Sequence, residues 1–155
     1  MSIKNFVKRK IRLLLFHLNL YSQDWEDRSL ILQAKILMSS ESWLRKEDNF
    51  DLTSKEFRVF SQWGDDGIIQ YLISQLNIQN KCFIEFGVGN YYESNTHFLL
   101  VNNNWSGYIL DGSKKNIDEV RANPFFWRYD LNIKAAFIDK SNINDLLSQS
   151  SFENI

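Results

Sequence analysis

The 155-residue sequence contains one proline, one cysteine, two histidines and six glycines. Such scarcity of chain-breaking residues leaves no linker or low-complexity tail, and 44% hydrophobic with 15% aromatic content excludes a disordered chain. A lone cysteine excludes an intramolecular disulfide, which fits a reducing compartment. Cys82 lies in the apolar run Cys82-Phe83-Ile84, where a thiol reads as a small core residue. His17 and His97 are the only imidazoles, and no cluster has metal-ligand spacing. No apolar run reaches the roughly 20 residues that cross a bilayer. The stretch from Ile11 to Leu20 is interrupted by Arg12, His17 and Asn19, and Tyr21 to Trp25 lacks a small-x-small cleavage site. The absence of a G-K-[ST] triplet excludes a P-loop.

Acidic residues are also missing, locally. Residues 1 to 23 hold Lys4, Lys8, Arg9, Lys10 and Arg12 and no acid, although the whole chain has 18 basic and 19 acidic residues and a net charge of −1. Removing those five cations leaves 13 basic residues against 19 acids, a net −6 for the remainder. A body of that sign argues against nucleic-acid binding. In a helix, Ile3, Val7, Ile11, Leu14 and Leu18 form one apolar stripe beside a basic stripe of Lys4, Lys8 and Arg12. Residues 1 to 20 can therefore lie in a membrane interface, or pack the stripe on their own domain or on a protein partner. The body is expected to be cytoplasmic, and peripheral to a membrane on the first of those readings.

Two regions are expected along the chain: a helical arm with its connector over residues 1–55, and an α/β domain over residues 56–155. Asp24 can cap a helix running to Met38. Glu41 to Glu56 reads as connector. Ser61-Gln62-Trp63-Gly64-Asp65-Asp66-Gly67 is turn-like, with Asp65 and Asp66 favoured as caps of a following helix marked by Ile68, Ile69, Leu72, Ile73 and Leu76. Strands are then expected at Lys81 to Phe86, Ser106 to Leu110 and Lys134 to Ile138. Helices are expected at Ser94 to Asn103, Asn116 to Arg121 and Asn142 to Gln149. That alternation predicts a parallel sheet with crossover helices. Phe152 to Ile155 resembles the approach to a fourth strand, so the expected fold is a Rossmann-like sheet truncated after about three strands. A sheet so cut leaves an unpaired edge, which predicts marginal stability or self-association.

Ligands of open parallel sheets bind at the carboxyl ends of the strands, and three acids end these three strands: Glu85, Asp111 and Asp139. Gly87 and Gly89 allow a tight turn and a close backbone approach. The third glycine of the dinucleotide fingerprint is replaced by Tyr92, and an acid two residues before the first glycine would repel a pyrophosphate. S-adenosylmethionine (SAM) suits the set better, since it carries a ribose diol, an ammonium and a sulfonium but no phosphate. Glu85 would face the positive groups directly or through water, Asp111 the ribose hydroxyls and Asp139 the adenine amine. A glycine pair that merely turns a strand into a helix remains the structural alternative. His97 is expected to be a packing or surface residue, and Phe125, Phe126 and Trp127 a packed loop.

Four blocks in order, Ser61-Gln62-Trp63-Gly64-Asp65-Asp66-Gly67, Phe83-Ile84-Glu85-Phe86-Gly87-Val88-Gly89, Glu93-Ser94-Asn95-Thr96 and Trp105-Ser106-Gly107-Tyr108-Ile109-Leu110-Asp111-Gly112-Ser113, resemble class I SAM-dependent methyltransferases of the FkbM type. The resemblance runs from about Phe57 to Ile155. It implies a cofactor site of Glu85, Gly87, Gly89, Asn90, Asp111, Gly112, Ser113 and Asp139, and O-methylation of a small-molecule or glycan hydroxyl. Members of that family continue into further strands that supply the acceptor side, so no catalytic base is assigned and the chain alone is expected to be inactive. The alternative function is a non-catalytic Rossmann-like module docked to a membrane or protein by its basic arm.

Overall fold

Residues Ile3–Met38 include neither glycine nor proline, and in the computed structural model they form one unbroken helix, α1. The structure describes residues 3–45, 51–123 and 126–152; among the first 23, side chains are described for Val7, Lys10, Ile11 and Leu14. The expected helix start at Asp24 is therefore corrected. With no breaker before it, the helix passes through Asp24, whose carboxylate pairs with Arg28 one turn later at 3.0 Å. α1 stops where the Ser39 and Ser40 hydroxyls donate to the carbonyls of Ile36 and Leu37. Ser40 also caps the short helix α2 (Glu41–Leu44) by accepting the Trp43 N–H.

Two compact units divide between Arg45 and Lys46. Residues 51–56, read from sequence as the end of the connector, belong with the second unit, where the 3₁₀ turn they form packs on helix α3 (Asp65–Gln75). Gly67 permits this contact: a Cβ there would lie 2.1 Å from the Lys55 carbonyl oxygen, and the Gly67 N–H donates to the Phe57 carbonyl. Lys55, in a 3₁₀ turn over Leu52–Lys55, is buried with its ammonium 5.2 Å from the Tyr71 ring centroid.

The second unit is an α/β unit whose three strands are all parallel, in the order β1-β2-β3. β1 (Cys82–Phe86) pairs with β2 (Ser106–Asp111), and β2 with β3 (Leu131–Ala135). Helices α4 (His97–Asn103) and α5 (Lys114–Ala122) connect them, and α6 (Ile143–Ser148) follows. The third strand begins earlier than its apolar run suggested. Its partner register, Gly107↔Leu131 through Asp111↔Ala135, uses the alternating stretch Leu131-Asn132-Ile133-Lys134, as suits a strand paired on one side only. The residues expected to complete it diverge, and Phe137 is 82% exposed. Pro124, Phe125 and residues 153–155, with the expected fourth-strand approach, lie outside the described residues, as do the side chains of Ile3, Lys4, Lys8, Arg9, Arg12 and Leu18.

β2 is the central strand and is covered on both faces. Ile109 joins Phe83, Tyr91, Leu99, Leu100, Trp105, Val120 and Phe126 on one side, with Ile69 and Ile73 of α3 packed against them. Tyr108 and Leu110 meet Leu146, Ile84, Ile138 and Phe152 on the other. Gly107 brings the strands' side chains close together, since a Cβ there would sit 2.4 Å from the Phe83 ring.

Asp66 is 1% exposed, and its side chain does not cap α3. Its Oδ2 instead accepts the backbone N–H groups of Val59, Phe60 and Ser61 at 2.7, 2.7 and 2.9 Å, and its own N–H donates to Ser61 Oγ. The expected cap thus becomes a clamp on the preceding loop, because three buried N–H groups in one concave turn need an acceptor that water cannot supply. Burial raises the Asp66 pKa and outweighs these hydrogen bonds, which lower it.

Substituting Asp66→Ala strands those three donors and should cost on the order of 4 kcal/mol in urea unfolding, whereas Asp66→Asn, which keeps an acceptor oxygen, should lose less than half of that. Asp27 gives a second, pH-dependent expectation. Partial burial, then repulsion from Asp24 and Glu26, pushes its carboxyl from 3.8 up to about 6. The ionised form is the one the fold disfavours, so this contribution is fully present below the ordinary value and lost as pH rises through about 6. Asp27→Asn should therefore melt higher than the parent at neutral pH, with the gap closing as pH falls through that window; a pH-independent gap would contradict the assignment.

Candidate functional site

At the carboxyl end of β1 the chain turns through Gly87 (φ 69°) and Gly89 (φ 57°), conformations that L side chains rarely adopt. A Cβ on either glycine would meet nothing within 4 Å, so this side of the turn is open backbone. The Gly87 N–H donates to the Leu110 carbonyl at 2.8 Å, extending the β1–β2 ladder, and the Gly89 N–H donates to Asp111 Oδ2 at 2.9 Å. Asp111 Oδ1 accepts the Ser113 N–H at 2.7 Å and the Asn116 side-chain amide at 3.2 Å. One carboxylate thus joins the end of β2, the glycine turn and the start of α5, where Ser113 caps the helix by accepting the Asn116 N–H. A carboxylate has about four acceptor directions, so three bonds leave Asp111 capacity for one further donor.

Glu85 is differently occupied. Its Oε2 accepts from Ser94 Oγ (2.6 Å), Thr96 Oγ1 (2.5 Å) and the Thr96 N–H (3.0 Å), and Oε1 accepts the Asn95 N–H (3.1 Å). Three of the four donors therefore crowd one oxygen, and the other holds a single bond. Its geometry is that of an acid fixing the 94–96 loop and the entry to α4, which starts at His97 rather than Ser94 for that reason. Since the Thr96 hydroxyl proton goes to Glu85, the Tyr91 hydroxyl donates to Thr96 Oγ1 across 3.0 Å. Tyr91 is wholly buried at φ 61°, an unusual backbone angle for a bulky residue, held by that bond and by the core around it. Burial also pushes its phenol above the ordinary value.

His97 stacks on Phe60 at 3.9 Å and on Tyr91 at 5.0 Å between ring centroids. Burial pushes its pKa down to about 4, so the ring is neutral at physiological pH and belongs to the packing. Phe126 packs beside it, at 5.6 Å between centroids, while Trp127 is 83% exposed. The stacking draws residues 57–61 over the glycine turn's loop, with Arg58 paired to Glu93 at 3.0 Å.

Of the other sequence-assigned residues, Asn90 closes the turn by accepting the Tyr92 N–H, and Gly112 lies beneath Phe137, with a built Cβ 3.2 Å from its ring. Asp139 is exposed in the loop after β3. Its Oδ1 accepts the Ser141 N–H, the Ser141 hydroxyl and the Asn142 N–H, and those bonds hold its pKa below the usual range. Hydrogen bonds thus join Asp111 to Gly89, Ser113 and Asn116, while Glu85 and Asp139 are each bonded within loops of their own, 94–96 and 139–142. Sequence reasoning missed the Tyr91–Thr96–Glu85 network; the hydroxyl pair Ser94-x-Thr96 shortly after a strand-ending acid was the available signal. A depression of about 250 Å³ lies elsewhere, bordered by Lys81, Cys82, Ser106 and Phe152 at the amino ends of β1 and β2, which is not where parallel sheets bind ligands. Among the described residues no three His, Cys, Asp or Glu side chains group as a metal site. No family model, characterised protein or solved structure matches this chain.

Replacing Glu85 with alanine deprives four donors of their acceptor, and should destabilise the second unit by on the order of 3 kcal/mol in a urea titration. Glu85→Gln retains an acceptor oxygen and should recover part of that; equal losses for both would mean that the loop is held by something other than this carboxylate.

Proposed function

We propose that this chain binds SAM at the carboxyl edge of its sheet and is the cofactor-binding part of a methyltransferase acting on a small-molecule or glycan hydroxyl. The observation that carries the reading is the Gly89 N–H to Asp111 Oδ2 bond, which ties an open, left-handed glycine turn to an acid with acceptor capacity to spare. A three-stranded parallel sheet with helical crossovers is compatible with a Rossmann-like origin, and the turn sits at the strand ends where such sheets take ligands. The four sequence blocks that resemble FkbM-type enzymes coincide with the α3 loop, the glycine turn, the 93–96 loop and β2 with its terminal acid.

The residues fit the cofactor with one revision. Asp111 would accept from the ribose hydroxyls, and the bare backbone at Gly87 and Gly89 would admit the amino-acid portion without a side chain in the way. Glu85, engaged by Ser94, Asn95 and Thr96, would act by fixing the 94–96 loop and by lending negative potential to the site's rim. Bound SAM supplies a methyl group on a sulfonium leaving group. What this chain contributes is orientation of the cofactor and exclusion of water on its side of the site. No base is assigned: His97 is neutral and packed, and neither it nor Tyr91 is exposed to an acceptor.

Calorimetry of the full chain with SAM and S-adenosylhomocysteine should detect saturable binding of both, and Asp111→Asn should weaken it by about tenfold or more, the usual worth of a charge-assisted hydrogen bond to a ligand. NAD should not compete. Absence of binding by a folded chain would remove the methyltransferase reading and leave the non-catalytic module.

A further inference from the structure

The apolar face of α1 is much longer than the stripe marked by its first turns. Val7, Ile11, Leu14, Trp25, Leu32 and Ile36 are between 47% and 63% exposed. At 3.6 residues per turn they all fall within about 60° of one another around the helix. The stripe spans about 43 Å at ~1.5 Å per residue. It is not the face that α1 buries: Ala34, at 5% exposure, falls on the opposite side of the helix. Large apolar side chains exposed along one face of a helix mark an interaction site.

We infer that α1 lies along an anionic lipid surface, with this stripe immersed in the interface. Two observations favour an anionic bilayer. First, charge is segregated along the helix: the first 23 residues carry five cations and no acid, and the helix's only acids, Asp24, Glu26 and Asp27, come after them. Second, Trp25 is exposed in the middle of the stripe, and indoles favour the headgroup level. No helix among the described residues is long and apolar enough to cross a membrane, so the contact is interfacial. The inference stands on α1 alone and is independent of the cofactor reading.

The test is co-sedimentation of the full chain with vesicles of equal parts phosphatidylglycerol and phosphatidylcholine, and with phosphatidylcholine alone. Binding to the first only is expected, weakening as salt is raised. Ile11→Asp with Leu14→Asp, both at exposed positions, should lower apparent affinity at least about tenfold while the far-ultraviolet spectrum and melt stay unchanged. A second variant, Lys4→Gln with Lys8→Gln, Arg9→Gln, Lys10→Gln and Arg12→Gln, keeps the stripe intact and should abolish the preference for anionic vesicles. Failure to sediment with anionic vesicles, or undiminished binding by either variant, overturns the proposal. So does a chain that self-associates through the stripe, seen as an oligomer that Ile11→Asp with Leu14→Asp converts to monomer without any vesicle binding in the parent.

Discussion

Three pieces of the second unit meet at the Asp111 carboxylate, which is 9% exposed. It closes the glycine turn through the Gly89 N–H, begins α5 through the Ser113 N–H, and does so from the end of β2, the one strand paired on both sides. The rest of the unit follows from where that strand ends. Because Ile109 and Leu110 are fully buried on opposite faces, β2 cannot slip by one residue without exchanging its two faces, so Asp111 has one height above the sheet. The glycine turn must reach that height, and it does so only by adopting left-handed angles at Gly87 and Gly89. The open backbone at the turn is thus a consequence of register.

The same economy recurs at Asp66 and Glu85. Each takes backbone N–H groups from a loop that runs beside a helix start, and each receives hydroxyl or amide donors that water would otherwise have to satisfy. Multiple charge-assisted bonds to one buried acid are stronger than neutral ones and fix a loop in a single conformation. Two loops that irregular sequence leaves undetermined are therefore specified by single side chains. This is why Phe60, His97 and Tyr91 can form a buried ring stack over the turn: the loops on which they sit have little freedom left.

Much of this was legible in the sequence. Apolar runs located β1 and β2, and the strand–helix alternation fixed a parallel α/β arrangement. Harder to read were features decided by partners distant in the chain. β3 was drawn three residues late because Ala135 to Ile138 is more apolar than Leu131 to Lys134, whereas an edge strand takes the alternating stretch that its register with β2 allows. Asp66 was read as a cap because local rules favour an acid before an apolar-periodic run; that Val59, Phe60 and Ser61 would curl around it depends on Gly67 admitting the 55–57 segment, which local propensity does not contain. α1 ran through its expected start because nothing in Ile3–Met38 breaks a helix, and Asp24 pairs with Arg28 along the helix surface instead of capping it.

Glu85 and Asp111 both end a strand, and spacing alone gives both of them to a ligand. What each carboxylate holds separates them. Glu85 takes four donors from the 94–96 loop, three of them on Oε2, so a ligand drawn to that oxygen would have to displace Ser94 or Thr96, and loss of Thr96 would also release the Tyr91 hydroxyl. Asp111 instead takes its three from the glycine turn and the start of α5, with a single donor on Oδ2. The first acid therefore fixes the loop that leads into α4, and the second fixes the glycine turn against the end of the central strand.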